Sequence, residues 1–113
     1  KVAVLTLGAI GQTVIEAIDS LEAQDERLKA RIVHYDMRWL KPMDESILTE
    51  VAEKYHTIIT VEDGVISGGL GSAVAEFILD YSKCKMQNRL ISSAWVSTIS
   101  SWSMVVLRNC TIY

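Results

Sequence analysis

The sequence predicts an α/β fold, a three-layer α/β/α sandwich with a mainly parallel sheet. Three apolar and β-branched segments, at residues 2–7, 31–36 and 57–61, alternate with stretches whose apolar residues recur at helical spacing. The third segment is apolar or β-branched throughout, as expected for a strand covered on both faces. Strands that alternate with helices of ten or more residues pair in parallel through right-handed crossovers.

Each helix has its own sequence signal. After the first strand, the turn Gly8-Ala9-Ile10-Gly11 leads into a helix that ends in the charged stretch 22–31. Pro42 excludes helical geometry at Lys41, and Asp44 is the expected N-cap of a second helix. The third helix is predicted over about residues 69–81. The apolar stripes of the three helices are Val14, Ile15, Ala17, Ile18 and Leu21; Ile47, Leu48, Val51 and Ala52; Ala73, Val74, Phe77 and Ile78.

Composition limits the classes of function. The chain has 113 residues, half of them hydrophobic, and a formal charge of −3, so it forms one domain and offers no basic field for nucleic acid. It has neither a membrane-spanning apolar run nor a signal-peptide pattern, and the expected compartment is the cytoplasm. Cys84 and Cys110 are too few and too far apart for a metal knuckle or a redox pair. Because the first residues already form a strand without a preceding methionine, we expect a fragment of a longer protein.

The last part of the chain differs from the rest, so we divide it into a domain at 1–92 and an atypical tail at 93–113. No acidic residue follows Asp80, and six of the twelve residues from Ser92 to Ser103 are serine. Reading across codon junctions forces Gly at Trp95/Val96 and at Met104/Val105. We therefore interpret the tail as a frameshifted translation and expect irregular or weakly ordered backbone from Ser92 onward, with a β-strand near Val105 as the alternative.

Two glycine turns invite a phosphate-binding interpretation, because helix N-termini present free N–H groups to anions. Gly8-x-x-Gly11 lacks the full dinucleotide pattern and a Walker lysine, which favours a tight strand–helix turn. Gly68-Gly69-x-Gly71 follows Glu62 and Asp63 at the carboxyl end of a strand, where α/β sheets usually bind ligands. Two acids would repel an anion there, so we favour a structural or interface role over a ligand.

The remaining polar residues do not form a catalytic set. Asp36, Arg38 and Lys41 can cluster at the end of the second strand, where an ion pair is favoured over binding of a substrate phosphate. His34 and His56 have no partner at metal-ligand or catalytic spacing. We therefore predict no catalytic, cofactor-binding or metal-binding residue in this chain.

Two motifs together identify a family resemblance. D-x-R-x-x-K-P at residues 36–42 and V-E-D-G-x-x-x-G-G-x-G-S at 61–72, in this order, resemble the C-terminal domain of transketolase-like, thiamine-diphosphate-dependent enzymes, with the match covering about residues 1–80. The resemblance implies the third domain of a homodimeric enzyme whose upstream domains hold thiamine diphosphate and magnesium. The isolated domain would be inactive and would pack on the upstream domains and on the second subunit. The candidate interface residues are Asp36, Arg38, Lys41, Glu62, Asp63, Gly64, Gly68, Gly69 and Gly71.

Within this family the sequence favours one branch and leaves others open. The glycine run 68–71 and Lys41-Pro42 favour the transferases that join pyruvate to glyceraldehyde 3-phosphate for isoprenoid and thiamine biosynthesis. The alternative is the β subunit of a 2-oxo acid dehydrogenase decarboxylating component, which has a related V-E-x-G segment and helps to dock the acyltransferase core. A free-standing, non-catalytic interaction module is a further alternative.

Overall fold

The computed structural model describes the backbone of residues 1–85, 89–99 and 102–111 and the side chains of residues 1–81 and 104–108. Its elements confirm the predicted alternation of strands and helices in the first 85 residues. They are β1 (Val2–Leu7), α1 (Ile10–Gln24), a 3-10 turn (Glu26–Leu28), β2 (Ile32–Asp36), α2 (Glu45–Lys54), β3 (Thr57–Glu62), α3 (Leu70–Lys85), β4 (Arg89–Ile99) and β5 (Trp102–Thr111).

The strands form one sheet in the order β2-β1-β3-β5-β4. β1 pairs in parallel with β2 and β3, whereas β5 runs antiparallel to both β3 and β4. The register places Thr6 beside Asp36 and Leu7 beside Glu62, so β1, β2 and β3 end together. We call this end of the sheet the carboxyl edge. The α/β class and the parallel pairing of the first three strands agree with the sequence prediction.

Helices cover both faces of the sheet. On one face, α2 and α3 pack against alternate residues of β1 and β3 to form the main core. This core includes Ala3, Leu5, Leu48, Val51, Ile58, Leu70, Val74 and Ile78, which are all buried. On the other face, α1 begins against β1 and β2, where Gly11 lies close to Thr6 and His34. The result is the expected three-layer arrangement, with α1 alone on its side among the described helices.

The tail is more regular than the sequence prediction. We expected irregular backbone from Ser92 onward, with a strand near Val105 as the alternative. The structure has that strand, β5, which pairs antiparallel with both β3 and β4, so the expectation of irregular backbone is wrong for the described residues. The physical reason is the alternation in residues 104–108, which buries Val105 and Leu107 against the core opposite Thr60 and Ile58. On the side of β3 that faces away from β1, the backbone N–H and C=O groups would otherwise be unpaired, and β5 pairs with them. The frameshift interpretation itself stays a prediction.

Candidate interface at the carboxyl edge

The first candidate cluster follows β2 and is held by Asp36. The Asp36 Oδ1 atom accepts a hydrogen bond from the backbone N–H of Arg38 at 3.0 Å. The Asp36 and Arg38 side chains are both exposed, and their closest approach, from Oδ2 to Nε, is 4.0 Å. Lys41 is exposed, and in the part of the chain that the structure describes Asp36 forms an ion pair with Arg38 and not with Lys41. An exposed pair at this distance contributes little to stability, so the cluster serves mainly to shape the turn.

Arg38 has an unusual backbone conformation. Its φ is +55°, in the left-handed region that residues with a Cβ rarely adopt. The N–H of Trp39 donates to the carbonyl oxygen of Met37, so the chain reverses over three residues. We call Met37-Arg38-Trp39 the Arg38 turn. It places the Arg38 and Trp39 side chains next to each other in solvent.

A cleft of about 560 Å³ lies beside the Arg38 turn. Its walls are mainly apolar, and carboxylates and one guanidinium lie among them. The lining residues are Asp36, Met37, Arg38, Trp39, Pro42, Met43, Asp44 and Ile47. Asp44 is the N-cap of α2, as predicted, and accepts hydrogen bonds from the backbone N–H groups of Ser46 and Ile47. The cleft therefore lies between the Arg38 turn and the start of α2.

The second candidate cluster, after β3, is organised around a buried carboxylate. Glu62 is only 7% exposed, and its Oε1 atom accepts a hydrogen bond from the N–H of Gly71 at 3.4 Å. Gly71 lies in the first turn of α3, so the negative charge faces the positive end of the helix dipole. Glu62 thus takes the position that an anionic ligand would occupy at this helix N-terminus.

The glycines of this loop provide room for Glu62 and for close packing on the sheet. A Cβ at Gly69 would lie 2.2 Å from Glu62 Oε1 and 2.3 Å from the carbonyl oxygen of Val65. A Cβ at Gly71 would lie 2.5 Å from Val105 Cγ2. No side chain fits at either position without movement of the surroundings. This close packing gives a steric reason for glycine at positions 69 and 71, and the structural or interface role of the run stays a prediction.

Ser72 fastens the same loop from outside. Its Oγ donates to the carbonyl oxygen of Ile66 at 2.7 Å and accepts from the N–H of Gly68 at 3.2 Å. Gly68 has φ +79°, which glycine adopts without strain. We call residues 62–72 the Glu62 loop. Hydrogen bonds to Glu62 on the inside and to Ser72 on the outside thus brace this loop on both sides of its tip, Val65 and Ile66.

The first glycine turn and the two histidines belong to neither of these two clusters. Gly8, with φ +89°, closes the turn before α1, and its carbonyl accepts the N–H of Gly11 at 3.2 Å. The Nε2 atom of His34 is hydrogen-bonded to Thr6 Oγ1 at 2.7 Å, whereas His56 is exposed. Among the residues that the structure describes, no three His, Cys, Asp or Glu side chains are grouped as metal ligands. None of the described helices is long and apolar enough to cross a membrane.

The carboxyl edge also exposes large apolar side chains that the sequence analysis did not single out. Trp39 is 69% exposed and Val65 is 67% exposed, and Ile66, next to Val65 in sequence, is also exposed. Trp39 follows β2 and the Val65-Ile66 pair follows β3, on either side of the end of β1. A tryptophan in a polar loop, and an apolar pair between glycines, were the available sequence signals.

The structure divides the nine candidate interface residues into two groups. Six are exposed and able to meet another protein: Asp36, Arg38, Lys41, Asp63, Gly64 and Gly68. Three are buried within the domain: Glu62, Gly69 and Gly71. The buried residues can act on an interface only by shaping the loop above them. Glu62 is the last residue of β3 and is buried, whereas Asp63 lies in the bend that follows the strand and is exposed.

Comparisons with known proteins give the chain a family context. Residues 1–104 match the family model of the transketolase C-terminal domain. A 1-deoxy-D-xylulose-5-phosphate synthase from Parabacteroides distasonis is 54% identical over 79 residues, and one from Cytophaga hutchinsonii is 51% identical over 79 residues. Each alignment covers 70% of this chain and 12% of the relative, so the chain spans about an eighth of the length of these proteins. No solved structure gives a significant match.

Proposed function

The chain belongs to the transketolase C-terminal domain family, and on that premise we propose that it is the C-terminal domain of a 1-deoxy-D-xylulose-5-phosphate synthase. The identity of 46–54% to several synthases of that name supports this assignment over the 2-oxo acid dehydrogenase β subunit. The parent would be a cytoplasmic, thiamine-diphosphate-dependent transferase that joins pyruvate to glyceraldehyde 3-phosphate for isoprenoid and thiamine biosynthesis.

Within that enzyme the proposed role of this domain is packing rather than catalysis. The observation that carries the proposal is the exposure of Trp39, Val65 and Ile66 at the carboxyl edge, where α/β sheets commonly bind small ligands. Three of the six large apolar side chains that are exposed in the described part of the chain follow β2 or β3 at this edge, and exposed apolar side chains at one edge favour a protein contact. The upstream domains and the second subunit of a homodimer are the proposed partners, and thiamine diphosphate and magnesium would be held by the upstream domains.

A chimeric enzyme tests the assignment. The aligned 79-residue stretch of the Parabacteroides distasonis synthase is replaced by the corresponding residues of this chain, and product formation from pyruvate and glyceraldehyde 3-phosphate is measured. We expect a turnover number within about tenfold of that of the parent. A matched chimera that carries the C-terminal domain of a 2-oxo acid dehydrogenase β subunit serves as the control. A folded but inactive chimera would contradict the proposed function.

A further inference from the structure

The Arg38 turn combines an unfavourable backbone conformation with two exposed side chains, Arg38 and Trp39, of types that contribute strongly to protein–protein binding. Glycine would adopt φ +55° freely, yet the position holds arginine. Its neighbour Trp39 is the most exposed of the large hydrophobic side chains in the described part of the chain. Strained backbone of this kind persists where the surrounding structure and a functional requirement both hold it. The isolated domain gains nothing from displaying a tryptophan in water.

The composition of the turn and its cleft is that of an interface centre. Tryptophan and arginine are the residues whose truncation costs most in protein–protein contacts, and methionine is also enriched there. Met37, within the turn, is buried, and Met37 and Met43 line the cleft together with Trp39, so flexible apolar groups form part of its walls. With its closest approach to Asp36 at 4.0 Å, the Arg38 guanidinium can take a second carboxylate in bidentate geometry.

We propose that the Arg38 turn and its cleft are the anchor point for another domain of the same polypeptide. An apolar side chain of that domain enters the cleft against Trp39, and a carboxylate pairs with Arg38. This inference rests on the proposed function. The occupant is chosen because this chain spans only 12% of its relatives, whose remaining length would be tethered at high effective concentration.

The test uses the active chimera described above with Trp39→Ala, and the measured quantity is the rate at which limited proteolysis releases the C-terminal domain. We expect at least a tenfold faster release, because removing a central aromatic anchor exposes the contact. Leu21→Ala is the matched control, since Leu21 is an exposed apolar residue on α1, 45% exposed and away from the turn. Its release rate should stay within about twofold of the unmodified chimera.

A second variant separates docking from folding. Arg38→Gly relieves the left-handed backbone strain, so the 113-residue chain should unfold at the same or a higher denaturant concentration, while the chimera releases its C-terminal domain faster. If Trp39→Ala itself prevents folding, Arg38→Gly decides the question alone.

The possible outcomes distinguish the two proposals. An inactive chimera contradicts the proposed function, whereas an active chimera in which Trp39→Ala and Leu21→Ala behave alike contradicts the anchor alone. Conversion of the chimera from dimer to monomer by Trp39→Ala, without faster domain release, would assign the site to the second subunit and overturn the tethered-domain assignment. Self-association of the 113-residue chain that depends on Trp39 would overturn it in favour of a second copy.

Discussion

Replacing Gly69 with alanine should destabilise the domain by forcing the Glu62 loop apart. The added Cβ would lie 2.3 Å from the carbonyl oxygen of Val65 and 2.2 Å from Glu62 Oε1, whereas ordinary contact begins near 3.4 Å. The Glu62 side chain can rotate away, but the Val65 carbonyl belongs to the backbone and has to move by about 1 Å. Overpacking of this kind costs about 2 kcal/mol.

Chemical denaturation of the 113-residue chain measures this cost. With a urea m-value of about 2 kcal/mol per molar, the midpoint should fall by about 1 M, and the melting temperature should fall by roughly 10 °C. Gly64→Ala is the matched control in the same loop, because its Cβ would meet Glu62 Oε2 at 3.5 Å, an ordinary contact. The control should remain within about 0.5 kcal/mol of the unmodified chain.

A double-mutant cycle separates the two clashes. In a Glu62→Ala background, Gly69→Ala should cost less than in the unmodified chain, because only the Val65 carbonyl remains in the way. Equal midpoints for Gly69→Ala and Gly64→Ala would refute the packing explanation of the glycine run.

Three further predictions concern the cofactor, acid stability and loop conformation. Calorimetric titration of the 113-residue chain with thiamine diphosphate and magnesium should show no saturable binding at micromolar cofactor. Saturable binding in that range, which corresponds to a binding free energy of about 8 kcal/mol, would contradict the packing role. The hydrogen bond from the Ser46 hydroxyl, followed by the backbone N–H groups at the start of α2, holds the pKa of Asp44 below its usual value of 3.8. The Asp44 carboxylate therefore stabilises the fold above that value, and this stabilisation is lost as the pH falls through the lowered pKa. Asparagine caps a helix without titrating, so the Asp44→Asn variant should lose less stability than the unmodified chain between neutral pH and pH 2, as measured by urea denaturation. Gly68→Ala should cost about 1 kcal/mol through its φ of +79° alone, and Gly68→Asn should recover part of that loss; equal midpoints for the two variants would contradict a purely conformational cost.

The first three strand–helix units could be predicted from the sequence because each carries a strong local signal. The apolar run of β1 and the N-cap at Asp44 depend on neighbouring residues only, and the structure starts these elements as predicted. The strand boundaries differ by one residue, with β2 at Ile32–Asp36 and β3 at Thr57–Glu62. Helix α3 extends to Lys85, beyond the predicted end near Tyr81, since nothing in the sequence after Tyr81 terminates a helix.

Beyond a possible strand near Val105, the tail could not be predicted, because its order depends on a distant part of the chain. Val105 and Leu107 gain their burial from Thr60, Ile58 and α3, which lie more than twenty residues away in sequence. Pairing with the open edge of β3 supplies backbone hydrogen bonds to any segment without proline and with suitable alternation. A strand here is therefore compatible with either origin of the tail, and only the nucleotide sequence of the gene tests the frameshift.

The candidate site was predicted in outline but not in its orientation. The motifs located the carboxyl edge correctly, yet they could not show that Glu62 points inward while Asp63 points outward. That difference decides the chemistry of the edge. With the Glu62 carboxylate already facing the N-terminus of α3, and with Gly69 and Gly71 enclosing it, the position used for phosphate in other α/β proteins is filled by the chain itself. What remains accessible is the outer surface of the two loops, where Trp39 and Val65 are exposed. The strand ends that bind ligands in other folds therefore present exposed apolar side chains here, and this geometry is the basis of the proposed packing role.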